Sequence, residues 1–274
     1  MSSTLERVST HFILILFAAI AIYPLISIVT LALTPSDDIV TGFSLPSEAT
    51  LDNFSTAWDV GEFDQALINS AIVALTVVAV SVAMSVLAGY ALGTMRFPGA
   101  TVIFFVLMTG LIIPYESLII PLYQMFRGWN LLDSLPALIL PQIGVSVTLG
   151  TFWMRGFFRS TPRTITEAAR VDGAGHFRTL ISVLVPTAWP AILTLSVLVF
   201  MYTWNDFLLA LVMNPSGRVL TAPLALSFFA GSQRTTEQTV VAAAAVLVAI
   251  PVIIFYVILQ RQFVRGFLTG AVKE

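Results

Sequence analysis

Residues 166–176 read TEAARVDGAGH, a run of small and charged side chains in a chain built otherwise from Leu, Ile, Val, Ala and Phe. Thr161-Pro162 ahead of it is one helix start, a hydroxyl N-cap followed by the residue best suited to the first helical position. Thr164 and Glu167 form a competing start, a capping box in which each side chain serves the other's backbone amide. Either start gives a short helix over about 162–171. Asp172-Gly173 then supplies a stop, because Gly takes positive φ without a Cβ clash. Phe177, Leu180, Ile181 and Leu184 follow at helical spacing and predict a second, amphipathic helix that leads to Pro186. Ala168, Ala169, Gly173, Ala174 and Gly175 leave room for another backbone, and Glu167, Arg170 and Asp172 offer charged contacts around it. Two readings are open: a helix seated in another protein's groove, and an inter-span loop folded on its own helix ends.

The surroundings of this stretch are those of a membrane protein. Of 274 residues, 57% are hydrophobic and 10% charged, and the mean hydropathy is +0.93. Soluble domains carry about 25% charged residues, so this composition cannot cover a water-facing surface. A net charge of −2 argues against nucleic acid, the lack of Cys excludes disulfides and Cys-ligated metals, and two histidines, His11 and His176, are too few for a His-rich metal site. The first apolar run, from His11 to Leu33, is longer than a signal-peptide core and no A-x-A site closes it, which predicts an uncleaved signal anchor.

A spanning helix needs about 20 mostly apolar residues. Six segments qualify, at about 12–33, 68–93, 101–125, 137–155, 187–212 and 239–260. Pro114 and Pro121 predict a kink or partial unwinding in the third; Pro136 and Pro141 stand at the start of the fourth. With both termini in the cytoplasm, Arg7, Arg96, Arg155, Arg159, Arg163, Arg170, Arg178, Arg261, Arg265 and Lys273 lie inside, against Arg127, Arg218 and Arg234 outside. Ten against three predicts an N-in, C-in orientation. The reading is a single all-α transmembrane domain over 1–274, with a cytoplasmic loop at 156–186 and a cytoplasmic tail at 261–274. The outside loop 34–66 holds Asp37, Asp38, Glu48, Asp52, Asp59, Glu62 and Asp64 and no basic residue. It is either an acidic loop left outside by charge bias or a docking surface for a soluble partner.

Charges within a span are costly and mark cavities or partners. Glu116 lies fifteen residues past Thr101, roughly 22 Å in by helical rise and so in the outer half of the third span. Asp206 lies near the outer interface, nineteen residues beyond Thr187 and roughly 28 Å along the fifth. Tyr115, Glu116, Trp204, Asn205 and Asp206 have the aromatic, carboxylate and amide chemistry of a sugar path, with Gln142, Ser146 and Thr148 available to line it. The alternative makes Asp206 an interfacial cap, Trp204 part of an aromatic belt and Glu116 a contact with a partner helix.

Glu167-Ala168-Ala169, Asp172-Gly173 and a Pro186 nineteen residues after the Glu resemble the EAA motif of ABC importer permeases. Val183, Val185, Leu180 and Gly175 depart mildly from its usual Ile, Leu, Phe and Ser. LDNF at 51–54, INS at 68–70, GYALGTMRFPG at 89–99, IPLYQMF at 120–126, LILP at 138–141, WNDFLLAL at 204–211 and QRQFVRGFLTGAVKE at 260–274 resemble blocks of the carbohydrate-importer permeases, the MalG-like group above all. In the tail, Phe267-Leu268-Thr269 and Glu274 depart from the usual Leu-Thr-Ala and Gly.

The resemblance implies a type I ABC importer fold and no catalytic chemistry in this chain. It implies a second homologous permease, a dimer of ATPase subunits carrying ATP and Mg, an extracytoplasmic solute-binding protein and a sugar substrate, in a bacterial or archaeal cytoplasmic membrane. It makes the helix bearing Glu167, Ala168, Ala169, Arg170, Asp172, Gly173 and Ala174 the coupling helix, and Gly270, Ala271, Val272 and Lys273 a second ATPase contact. Independently, a P-loop needs a Lys followed by Ser or Thr, and the only Lys, Lys273, precedes Glu274. ATP-driven transport therefore needs another polypeptide. A stand-alone secondary transporter with Glu116 as its coupling carboxylate is the alternative function, and the large inside loop and the tail argue against it. An intramembrane protease would want a G-x-S-x-G-like elbow and a His within a span, and neither is found.

Overall fold

The computed structural model describes residues 4–38, 45–46, 48–232 and 237–271, and side chains over 6–38, 45–46, 48–231 and 237–260. Among these residues there are helices and no strand. In chain order the helices are α1 (Thr4–Ala32), α2 (Asp52–Val60), α3 (Phe63–Thr94), α4 (Ala100–Ile112), α5 (Tyr115–Gly128), α6 (Leu135–Ser160), α7 (Arg163–Val171), α8 (His176–Thr179), α9 (Val185–Trp204), α10 (Leu208–Met213), α11 (Ala222–Ser232) and α12 (Gln238–Ala271). A π-helical turn over Leu180–Leu184 joins α8 to α9.

Among the described residues five stretches are long and apolar enough to cross a membrane: Glu6–Ala32, Phe63–Thr94, Leu135–Ser160, His176–Trp204 and Gln238–Gln260. The sixth is broken. α4 and α5 meet at a 96° bend, with Ile113 and Pro114 both extended. Pro114 has no amide hydrogen to continue the ladder and bars its predecessor from the helical region. Pro121, by contrast, lies inside α5. The kink or partial unwinding expected in the third span over 101–125 is thus a full break at Pro114 into two helices, and the depth of roughly 22 Å counted to Glu116 by uninterrupted rise does not hold. The fifth span is also corrected: the helix stops at Trp204, and Asn205 to Phe207 separate it from α10. The sixth helix runs without a break to Ala271, so the backbone of the expected tail from 261 to 271 continues the span's helix. Val272 and Lys273 lie outside the described residues.

Where the sequence reading takes one domain, residue contacts divide the chain into two units, 1–65 with 225–251 and 66–224 with 252–274. In the first, α1 exposes an apolar surface along its whole length, with Phe12, Ile15, Phe17 and Leu25 each more than half exposed. Asn53 on α2 is 3% exposed and donates from Nδ2 to the carbonyls of Ala32 and Thr34 at 2.9 and 2.7 Å. One buried amide thereby caps the end of α1 and fixes α2 against it. Phe63 and Phe229 meet edge to face in the same unit.

The second unit carries the larger core, with Leu138, Met154, Leu180, Leu184, Leu195, Leu209 and Met213 fully enclosed. Lipid tails are as apolar as Leu, so helices in a bilayer associate through close packing rather than hydrophobic expulsion. Small residues provide it. A Cβ on Gly89 of α3 would stand 2.6 Å from the Met154 Cβ and 2.8 Å from the Arg155 nitrogen of α6. Gly150 of α6 meets Ser85 of α3 so closely that a Cβ there would collide with its hydroxyl. At the far end of α5, Asp133 accepts the Ser216 amide on Oδ1 at 2.8 Å and donates its own amide to Met213 at 3.0 Å, tying two loops together.

Candidate functional site

The first candidate region is the connection from α6 to α9. Thr161 does not cap α7: its hydroxyl donates back to the Phe157 carbonyl of α6 at 3.2 Å. Pro162, in extended geometry, occupies the N-cap position with no side-chain cap, and the Ile165 amide bonds to its carbonyl at 3.2 Å. Neither expected start forms as drawn. The helix begins at Arg163, and Thr166, which donates to the Arg163 carbonyl, fills the first turn. Pro162 fixes this start because its locked φ and missing amide suit the edge of a helix.

The far end follows the expected stop. Gly173 has φ +78°; the Ala174 amide bonds to the Ala169 carbonyl at 2.9 Å and the Gly173 amide to Arg170 at 3.0 Å. This pair of bonds is the Schellman closure, which satisfies carbonyls that a helix end otherwise leaves bare. Ala169 is buried and holds the helix down, Ala174 is half-buried, and Glu167, Ala168, Arg170, Asp172 and Gly173 are exposed. Under α7 lies a cleft of about 750 Å³ lined by Gly93, Arg96, Arg159, Glu167, Arg170 and His176, among others. The His176 ring nitrogen Nδ1 stands 3.4 Å from the Tyr90 hydroxyl.

The expected amphipathic stripe is split. Leu180 and Leu184 enter the core at 1% and 0% exposure, while Phe177 is 72% and Ile181 48% exposed. The π turn adds a residue to the ladder, so a stripe drawn at α spacing cannot keep all four residues on one face. Val171, at 88%, joins Phe177 as an apolar residue on the open side. Sequence reasoning missed this pair as surface residues; the four-residue length of α8 is not legible from periodicity.

The second candidate region lies where α5 begins and α9 ends. The bend at Pro114 puts Tyr115 and Glu116 in the first turn of α5. Asp206 accepts the Leu209 amide on Oδ1 at 3.0 Å and so caps α10. Tyr115 is half-buried beside Asp206; its hydroxyl makes no well-aligned hydrogen bond, though the charges of Asp206 and Glu116 both reach it. Glu116 is exposed. Three of the five predicted path residues therefore meet. The other two are turned elsewhere: Trp204 is 3% exposed and stacks on Phe200 at 5.5 Å, and Asn205 donates from Nδ2 to Met201 on its own helix at 2.8 Å. Gln142, Ser146 and Thr148 are buried, and the Thr148 side chain packs against Gly110 of α4. Among the described residues no group of three His, Asp or Glu side chains is placed to hold a metal.

Comparison with known proteins gives a consistent result. The family described as binding-protein-dependent transport system inner membrane component matches residues 81–268. The trehalose transport system permease protein SugB of Mycobacterium tuberculosis is 36% identical over 254 residues, 92% of this chain and 93% of the relative. The diacetylchitobiose uptake system permease protein NgcG of Streptomyces coelicolor is 28% identical over 96% of this chain and 88% of its own length. Among solved structures, a chain of a bacterial ABC transporter involved in the import of the acidic polysaccharide alginate superposes with TM-score 0.77 at 26% identity, covering 96% of this chain and 99% of that one.

Proposed function

This chain belongs to the binding-protein-dependent transport system inner membrane components, a multi-pass permease of the cytoplasmic membrane and not an enzyme, and from that membership we propose that it forms half of the translocation path of a sugar importer. The sugar class rests on its relatives, whose names include trehalose and diacetylchitobiose transport. A second permease supplies the other half, an ATPase dimer with ATP and Mg the drive, and a solute-binding protein the substrate. Both termini face the cytoplasm, in line with the ten-to-three distribution of basic residues.

The observation that carries the coupling role is the exposed α7, a nine-residue helix between two spans, with small residues on its open side and Val171 and Phe177 beside it. This is the form that a groove on a soluble partner can receive. Glu167, Ala168, Arg170, Asp172 and Gly173 meet the ATPase there, and the end of α12, with Gly270 to Lys273, provides a second contact. Asp37, Asp38, Glu48, Asp52, Asp59, Glu62 and Asp64, in the loop that the charge bias assigns to the outside, are all exposed and receive the binding protein. Tyr115, Glu116 and Asp206 border the substrate path; Trp204 and Asn205 shape it indirectly.

Reconstitution in proteoliposomes tests this. Uptake is expected only when the second permease, the ATPase, ATP and the binding protein are all present. Proton-driven uptake by the chain alone would establish the secondary-transporter reading instead. Identifying the sugar held by the co-purifying binding protein then fixes the substrate.

A further inference from the structure

Where α3 ends, α4 begins and α6 ends, a second cleft of about 760 Å³ opens, lined by Arg96, Arg155, Arg159 and Arg163 together with Phe104 and Phe105. Among the described residues that line it there is no Asp or Glu. The neighbouring charge acting on Arg155 is that of Arg159, a like charge. Yet the Arg155 guanidinium is held firmly. Its Nε donates to the Leu92 carbonyl at 3.1 Å, and its Cζ lies over the Phe104 ring, 3.7 Å from the centroid. One of five N–H donors is thus engaged, and the remaining fork has the geometry that suits a phosphate.

The level of the cleft in the membrane follows from helix rise. Arg155 stands twenty residues after Leu135, the first residue of α6. That is about 30 Å of helix, the thickness of a bilayer's hydrocarbon core. The four arginines therefore lie at the depth of lipid headgroups. Leaving the cleft, α4 presents Val102, Phe105 and Val106 at 66%, 64% and 63% exposure, a continuous apolar track. A free anion would use the arginines and nothing of this track; a phospholipid uses both.

We propose that this cleft binds the phosphate of an anionic phospholipid, with an acyl chain lying along the exposed face of α4. Basic pockets between spanning helices suit such headgroups, and each arginine near the surface contributes about a fivefold preference for negative lipid. Arg163 is the first residue of α7, so a lipid held here also touches the base of the coupling segment. The proposal rests on the chain's place in the membrane and is independent of which substrate it carries.

The test is native mass spectrometry of the purified full chain in detergent, titrated with phosphatidylglycerol or phosphatidylcholine of equal chain length. Phosphatidylglycerol is expected to stay bound in preference, and its preference should fall roughly tenfold or more in the Arg96→Gln/Arg159→Gln double variant. Both arginines are exposed, so circular dichroism and elution volume should not change. Short-chain dihexanoyl phosphatidylglycerol should bind more weakly than the long-chain lipid. Equal retention of the two headgroups, or a preference untouched by the double variant, overturns the site. Displacement of phosphatidylglycerol by millimolar inorganic phosphate, or equal binding of the short-chain lipid, overturns the lipid in favour of a free anion.

Discussion

The Ala174 amide bonds to the Ala169 carbonyl at 2.9 Å, and Gly173 between them stands at φ +78°. A Cβ at Gly173 would meet nothing within 4 Å, so its demand is purely one of backbone conformation. A left-handed backbone costs an ordinary L-residue roughly 1–2 kcal/mol, and Asn less. In the reconstituted importer Gly173→Ala is expected to lower sugar taken up per ATP hydrolysed, while Gly173→Asn stays close to the parent. Equal coupling in all three proteins would separate the Schellman closure from energy transfer. Glu167→Lys, on the exposed side of the same helix, should uncouple without altering membrane insertion.

The close approach of α3 and α6 makes a second prediction. Gly89→Ala must displace backbone, because a Cβ there would stand 2.6 Å from the Met154 Cβ and 2.9 Å from its carbonyl carbon. Overpacking of this kind costs typically about 1–3 kcal/mol. Thermal unfolding in detergent, followed by fluorescence size exclusion, should show a lower midpoint for Gly89→Ala. Gly144→Ala, where a Cβ meets nothing within 4 Å, should leave it unchanged.

Asp206 has two roles that substitution can part. Asp206→Asn keeps an oxygen for the Leu209 amide and removes the charge; Asp206→Ala removes both. Loss of an N-cap is worth about 0.5–2 kcal/mol, so the Ala variant should melt lower than the Asn variant. If Asp206 borders the substrate path, the Asn variant should still transport poorly despite parental stability. Full transport by Asp206→Asn and Glu116→Ala alike would remove both carboxylates from the path. Asn205→Ala, whose side chain is spent on Met201, should alter uptake less than either.

Asn53 anchors α2 through two carbonyls that would otherwise be buried without donors. Asn53→Ala should cost about 1–3 kcal/mol in local stability, and Asn53→Asp should be no better, since a carboxylate cannot donate to Ala32 and Thr34. Faster protease cleavage within 45–62 in both variants, with the spans intact, is the expected readout. If α2 positions the acidic surface for the binding protein, affinity for that protein should fall in parallel.

Much of this was legible because the physics is local or compositional. Spans require length and apolarity, and Asp172-Gly173 needed only its own backbone to end α7. The failures share a cause. Residue type alone points to caps at Thr161 and Thr164, yet the Thr161 hydroxyl donates to Phe157 of the preceding helix. The stripe through Phe177 and Ile181 was drawn at α spacing and broken by a π turn that no residue type announces. Pro114 and Pro121 look alike in the sequence; one breaks the span by 96° and the other sits inside α5.

Composition and residue order are enough to put the chain in a bilayer, to give it about six apolar segments, and to interrupt them with a short, glycine-stopped helix. Those properties follow from transfer free energies and single-residue backbone preferences, which need no neighbours. It takes the packed helices to bring Tyr115 to Asp206 while Trp204 is packed away, and to pin Arg155 between Leu92 and Phe104 beside three further arginines. These are contacts between helices distant in sequence. Each depends on where a helix bends and which small residues let it approach, and such relations exist only once the helices are packed.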